Sequence, residues 1–145
     1  MRLMNSKLAF FILLGGSVWG QNPEIKINGA SQARFGFSTS INIQIVRNDV
    51  KGPARLIAHL PEGWTLLNPV AETALYSQTS NDAKAVWIEF PLKDTVYCSM
   101  QFNIPESYRG TASIQAKLEY FDNGNKKHVN CIPFPIEVRK FYSRL

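Results

Sequence analysis

The chain has 145 residues, 45% of them hydrophobic, with 16 lysines and arginines against 11 acidic residues. That apolar share is too high for a disordered chain, and the length suffices for a single core without staples. The basic residues are scattered, with local groups only at Lys126-Lys127 and Arg139-Lys140. No stripe of the kind a nucleic-acid footprint needs is present, so nucleic acid is not an expected partner.

The first twenty residues read as an export signal. Arg2 and Lys7 supply a positive start, and Leu8–Val18 is an apolar run too short to span a bilayer as a helix. Gly20 offers a small residue at the cleavage position, so Gln21 is the expected mature N-terminus. No cysteine stands close behind the apolar run, which argues against a lipoprotein signal. Cleavage would leave 14 basic against 11 acidic residues, because Arg2 and Lys7 depart with the signal. No later apolar run approaches ~18 residues, so no transmembrane segment is expected after cleavage. The expected division is a signal peptide over 1–20, one domain over 21–140 and a tail over 141–145. The expected location is periplasmic or extracellular, including association with an outer membrane.

In chain order, the elements read as short strands. Ile25 and Ile27 alternate with Glu24, Lys26 and Asn28 in a short edge-like strand. Ile41, Ile43 and Ile45 alternate with Asn42 and Gln44, the period-two pattern of a half-buried strand. Over 54–60, Leu56, Ala58 and Leu60 share one face. Pro61-Glu62-Gly63 reads as a turn, and Trp64–Leu67 continues apolar. A short strand is expected around Leu75–Ser77. Over 83–90, the series Val86, Ile88 and Phe90 opposes Ala85, Trp87 and Glu89.

The longest clean alternation runs from Thr95 to Ile104, with Val96, Cys98, Met100 and Phe102 on one face. Ile114, Ala116, Leu118 and Tyr120 repeat it over 111–121. Asn123-Gly124 is a hairpin turn, and 127–138 returns as its partner. Pro133 and Pro135 cannot donate ladder hydrogen bonds, so this last strand should be an edge or irregular. No helical periodicity of convincing length follows residue 21. The expected fold is all-β, a single antiparallel sandwich of about seven or eight strands, with a closed barrel as the main alternative.

Residues suited to chemistry are few. His59 and His128 lie far apart, and no pair with metal-ligand spacing exists. No Gly-x-Ser-x-Gly elbow is present. Glu62, Glu89 and Asp94 are the carboxylates that could converge for glycoside hydrolysis. No enzyme activity, cofactor or metal is expected. Trp64, Trp87 and Tyr97 form a candidate aromatic contact surface, with core packing as the competing reading for both tryptophans. Cys98 and Cys131 are a candidate disulfide, as two cysteines in an exported chain suggest. Strand parity opposes it. Cys98 falls on the inward series, and Cys131 opposes Ile132, Phe134, Ile136 and Val138.

The segments Leu60-Pro-Glu-Gly-Trp64, Trp87-Ile-Glu-Phe-Pro91 and Ile104-Pro through the Asn123-Gly124 hairpin resemble immunoglobulin-like modules of bacterial surface and periplasmic proteins. The glutamine after the signal resembles exported proteins of the Bacteroidota. The antibody order of Cys, Trp, Cys is absent, since Trp87 precedes both cysteines. The resemblance implies a non-catalytic sandwich used for adhesion, assembly or carbohydrate contact, of a kind that accompanies outer-membrane or secretion machinery. The leading expectation is protein–protein binding as an accessory or structural component of the cell envelope, with another envelope protein as partner. A carbohydrate-binding module with a glycan partner and a periplasmic chaperone-like sandwich are the alternatives.

Overall fold

The computed structural model describes residues 22–71 and 73–140. The expected signal peptide, its cleavage site and the 141–145 tail lie outside the described residues. Twelve strands are assigned: β1 Glu24–Gly29, β2 Gln32–Arg34, β3 Ser38–Val46, β4 Ala54–His59, β5 Thr65–Leu66, β6 Val70–Ala71, β7 Leu75–Thr79, β8 Asp82–Trp87, β9 Thr95–Asn103, β10 Gly110–Asp122, β11 Asn125–Asn130 and β12 Phe134–Arg139. No helix is assigned among the described residues. The expected immunoglobulin-like sandwich is what the chain forms. The strand count exceeds expectation because the first and last strands are each divided and β5 and β6 are two-residue fragments beside β9.

One sheet has five strands in the order β1-β3-β9-β5, with β6 also on β9. The other has seven, in the order β2-β12-β10-β4-β8-β7, with β11 also on β10. The first strand serves both sheets. β1 pairs antiparallel with β3, whereas β2 pairs parallel with β12. The crossing begins at Gly29, where an added Cβ would stand 2.9 Å from the Ser40 carbonyl oxygen. Glycine permits that close passage of two backbones.

β3 and β9 pair along their full lengths, from Thr95 opposite Val46 to Asn103 opposite Ser38. Their inward series, Ile41, Ile43, Ile45, Cys98, Met100 and Phe102, are all essentially without solvent exposure. They face Leu56, Ala58, Trp87, Ile114, Leu118 and Ile136 of the other sheet in one contiguous core. Burial of each large side chain of this set contributes roughly 1.5–3 kcal/mol.

β10 and β11 form the expected hairpin. Asn123 and Gly124 both have positive φ, at 52° and 79°. That is the two-residue turn whose twist matches that of the flanking strands.

The last strand is irregular, as its prolines imply. β11 pairs with the second half of β10 and β12 with the first half, on the same side. The break at Ile132-Pro133 reverses parity. Val129 and Cys131 are inward before it, Ile136 and Val138 after it. The expectation that Cys131 points away from the core is therefore corrected, since a regular alternation does not run through a proline break.

The inward face of β8 also differs from the simplest reading. Ala83, Ala85 and Trp87 enter the core, leaving Val86 half-buried and Ile88 exposed. One buried tryptophan removes more apolar area than Val86 supplies, and the small alanines leave it room.

Candidate binding surface

The three aromatics are not brought together. Trp64 and Trp87 are 1% and 0% exposed, respectively, whereas Tyr97 is 59% exposed on the outer face of the five-stranded sheet. Trp64 meets Tyr108 edge-on with ring centroids 5.5 Å apart, and Trp87 meets Phe90 at 4.9 Å. Both tryptophans are thus core anchors, and a surface built from Trp64, Trp87 and Tyr97 is corrected to Tyr97 alone. Burial wins because an indole removed from water outweighs any benefit of solvent display.

The Cys98–Cys131 disulfide is likewise not formed; both are buried free thiols. The Cys98 sulfur lies 3.2 Å from the Tyr76 hydroxyl on β7, and Cys131 flanks Ala116 of β10. From β7 to the β11–β12 path is four strand spacings, roughly 19 Å. A disulfide needs Cα atoms within ~7 Å. Burial pushes the Cys98 thiol up to about 11, with the Tyr76 hydrogen bond acting in the opposite direction. Burial also raises Cys131. Neither is an activated nucleophile.

One cleft on the seven-stranded sheet has the composition of a hydrolytic site. It is lined by His59, Asp82, Gln115, Asn130 and Cys131 among others. His59 Nδ1 lies 2.8 Å from Asp82 Oδ1. The thiol, however, is turned inward and donates to the Ile132 carbonyl oxygen at 3.3 Å. His59 sits on β4, with β10 between it and Cys131. No base-to-nucleophile hydrogen bond is made.

Glu62 and Glu89 do not converge either. The Leu60 amide donates to the Asn81 carbonyl, which sets the Glu62 turn near the start of β8, whereas Glu89 follows its end. That length of strand spans roughly 20 Å, against ~5–9.5 Å between glycosidase carboxyls. Among the described residues no group of three metal-binding side chains occurs.

What the structure does assemble lies on the outer face of the seven-stranded sheet. Leu75 on β7 pairs with Val86 on β8, which pairs with Arg55 on β4, which pairs with Glu119 on β10. Val86, Pro53 and Phe121 then line a shallow depression of about 240 Å³ with Arg55, Glu119 and Lys126. Leu75 is 65% exposed and Phe121 49%, and Ile88, just beyond β8, is 77% exposed. An apolar strip therefore crosses this face of the sheet, flanked by charge.

The charge is centred on Glu119. Arg55 Nε donates to Glu119 Oε1 at 2.9 Å, and an Arg55 terminal nitrogen donates to the same oxygen. Lys117 Nζ lies 3.5 Å from Oε2 and Lys126 Nζ 3.7 Å from Oε1. Burial acts to raise the carboxyl, but the Arg55 hydrogen bonds and charge, with Lys126 and Lys117, outweigh it and hold Glu119 below the usual carboxylate range. Three cations surround one carboxylate, so the rim keeps a positive excess.

None of these residues was singled out from sequence as a site. Phe121 and Val86 did stand at solvent-facing or ambiguous parity, which is the available signal. Arg55 and Glu119 are 64 positions apart, and only the β4–β10 register joins them.

Among the described residues no helix is long and apolar enough to cross a membrane. No family model matches the chain. No curated protein matches it either. Among solved structures it is similar to a non-cellulosomal cohesin from the hyperthermophilic archaeon Archaeoglobus fulgidus. The TM-score is 0.56 at 18% identity, over 81% of this chain and 92% of that one. This likeness supports the sandwich fold and extends no further. Two looser likenesses carry no argument. One is to a GH20 exo-β-N-acetylglucosaminidase from Vibrio harveyi (TM-score 0.45, 9% identity), covering 86% of this chain but only 19% of that enzyme. The other is to the ASH/PapD-like domain 7 of human CEP192 (TM-score 0.44, 10% identity), covering 99% and 100% of the two chains.

Proposed function

We propose that the protein is an exported, non-catalytic sandwich that binds another protein of the bacterial cell envelope through the outer face of its seven-stranded sheet. The observation that carries this reading is the apolar strip of Leu75, Val86 and Phe121 beside the cation-rich rim of Arg55, Lys117 and Lys126. Exposed apolar groups gathered on one face and rimmed by polar residues mark interaction sites. The depression is smaller than the ~300–1,000 Å³ of ordinary small-molecule pockets. It suits one or two apolar side chains of a partner flanked by carboxylates, which the positive excess would attract and orient. Export is supported by the charged and apolar pattern of residues 1–20.

The test places a photo-crosslinking residue at position 121, at 75 or at 97 in the producing cells. Adducts with the same envelope protein at 121 and 75, and none at 97, are expected. Crosslinking at 97 alone would overturn the assignment of this face. Intact mass of the purified protein tests export, with cleavage after Gly20 as the expected result. Carbohydrate contact is the secondary reading, and rests on exposed Tyr97 among the amides Asn42, Gln44 and Gln101. Retention on glycan arrays that is abolished by Tyr97→Ala would favour it.

A further inference from the structure

We infer that the free edge of β1 is a self-pairing edge, which joins two copies of this chain into a continuous sheet across a twofold axis. This surface is separate from the one proposed above. Among the described residues β1 ends the five-stranded sheet and pairs only with β3, so one side of its backbone has no ladder partner there. Such edges template association unless they are blocked. On the outer face of β1, Glu24 and Lys26 are exposed two residues apart, and neither has an ion-pair partner among the described residues. On the inner face, Ile25 is half-buried and Ile27 is buried. The start of the strand is pinned, because the Asn48 side chain donates to the Asn22 carbonyl at 2.6 Å and the Tyr120 hydroxyl donates to the Asn22 side chain at 3.2 Å.

The charges select both the occupant and the register. Antiparallel pairing of two β1 strands keeps inward residues together only in alternate registers. With Ile25 opposite Ile25 on the axis, Glu24 of each copy stands opposite Lys26 of the other. Slid one allowed step either way, the edge sets Glu24 against Glu24 or Lys26 against Lys26. Opposite charges directly across a ladder stabilise it and like charges oppose it. The pattern Glu-Ile-Lys is thus complementary to itself, as an isologous interface requires.

Beneath the edge runs an open cleft of about 400 Å³, lined by Ile25, Ile27, Ile132, Pro133 and Phe134 among others. Ile132 is 86% exposed beside it. A twofold perpendicular to the joined sheet places both copies' Ile132–Phe134 segments on the same side of the junction, where each shields the other.

The experiment is sedimentation equilibrium on protein expressed from the full sequence, from micromolar to millimolar concentration. The wild type is expected to double its mass with concentration. Lys26→Glu alone and Glu24→Lys alone are each expected to weaken the dimer by about tenfold or more, with two favourable pairs replaced by two repulsive ones. An equimolar mixture of the two variants restores Glu–Lys pairs and is expected to form a heterodimer. The double variant Glu24→Lys/Lys26→Glu reverses both charges and is expected to dimerise like wild type, which separates loss of pairing from loss of folding. A wild type that stays monomeric throughout, or a dimer indifferent to both single substitutions, overturns the inference.

Discussion

The outer faces of the two sheets meet water with different side chains. On the five-stranded sheet, β3 and β9 contain no charged residue over their full lengths. Their outward positions are serines, amides, threonine, Val46 and Tyr97, and Gln101 is partnered locally. The Gln101 side-chain nitrogen donates to Ser38 Oγ at 2.9 Å, and Asn68 donates to the Gln101 side-chain oxygen at 3.1 Å. The seven-stranded sheet instead sets Arg55, Lys117, Lys126 and Glu119 against Leu75, Val86 and Phe121. The central strands of the first face carry only neutral polar groups, and its charges, Glu24 and Lys26, stand at the β1 edge. The second leaves both apolar area and positive charge unspent, and that imbalance is what a partner would relieve.

The sharpest way to break the comparison is to exchange an inward aromatic for an outward one. Trp87→Ala opens a cavity in the core and should cost about 3–5 kcal/mol in urea unfolding. A loss under ~1 kcal/mol would place Trp87 at the surface after all. Next comes Phe121→Asp, which puts a like charge where acidic groups of the partner are expected to approach. Partner affinity should fall at least about tenfold, that is ~1.4 kcal/mol, while the melting temperature shifts little.

Glu119→Gln removes the hub of the ion cluster and should cost about 1–2 kcal/mol at neutral pH. The sign with pH follows from the lowered carboxyl. Stability from Glu119 is fully present above its unfolded value of ~4.3 and is lost as pH falls through the lower folded value. Wild type should therefore lose part of its acid-side stability in that window, and the glutamine variant should lack that part of the decline. Smallest of all is Tyr97→Ala, expected to change unfolding free energy by no more than about 0.5 kcal/mol and to leave protein-partner affinity unchanged.

The inward sides of β3, β4, β9 and β10 could be read from alternation, because each has one strongly apolar series and few competing residues. The Asn123-Gly124 turn could be read because its two positive φ values demand those residue types. Reading failed where two series were both apolar, as at Ala85 and Trp87 against Val86 and Ile88, since period two then identifies a strand without choosing its inward face. It failed again at Cys131, where a proline break reversed parity. The candidate surface was mostly hidden, because Arg55 and Glu119 meet only through strand register.

By itself the sequence determined an all-β sandwich, the hairpin, the lack of metal-ligand spacing and an export-like start, all of which follow from local spacing and composition. Only the tertiary structure decided that both tryptophans are core, that Cys98 and Cys131 lie toward different edges, and that an apolar strip adjoins a cluster of cations. Those outcomes depend on which strands become neighbours. Neighbourhood in a sandwich is set by burial of the whole core at once, and the local pattern along any one strand does not contain it.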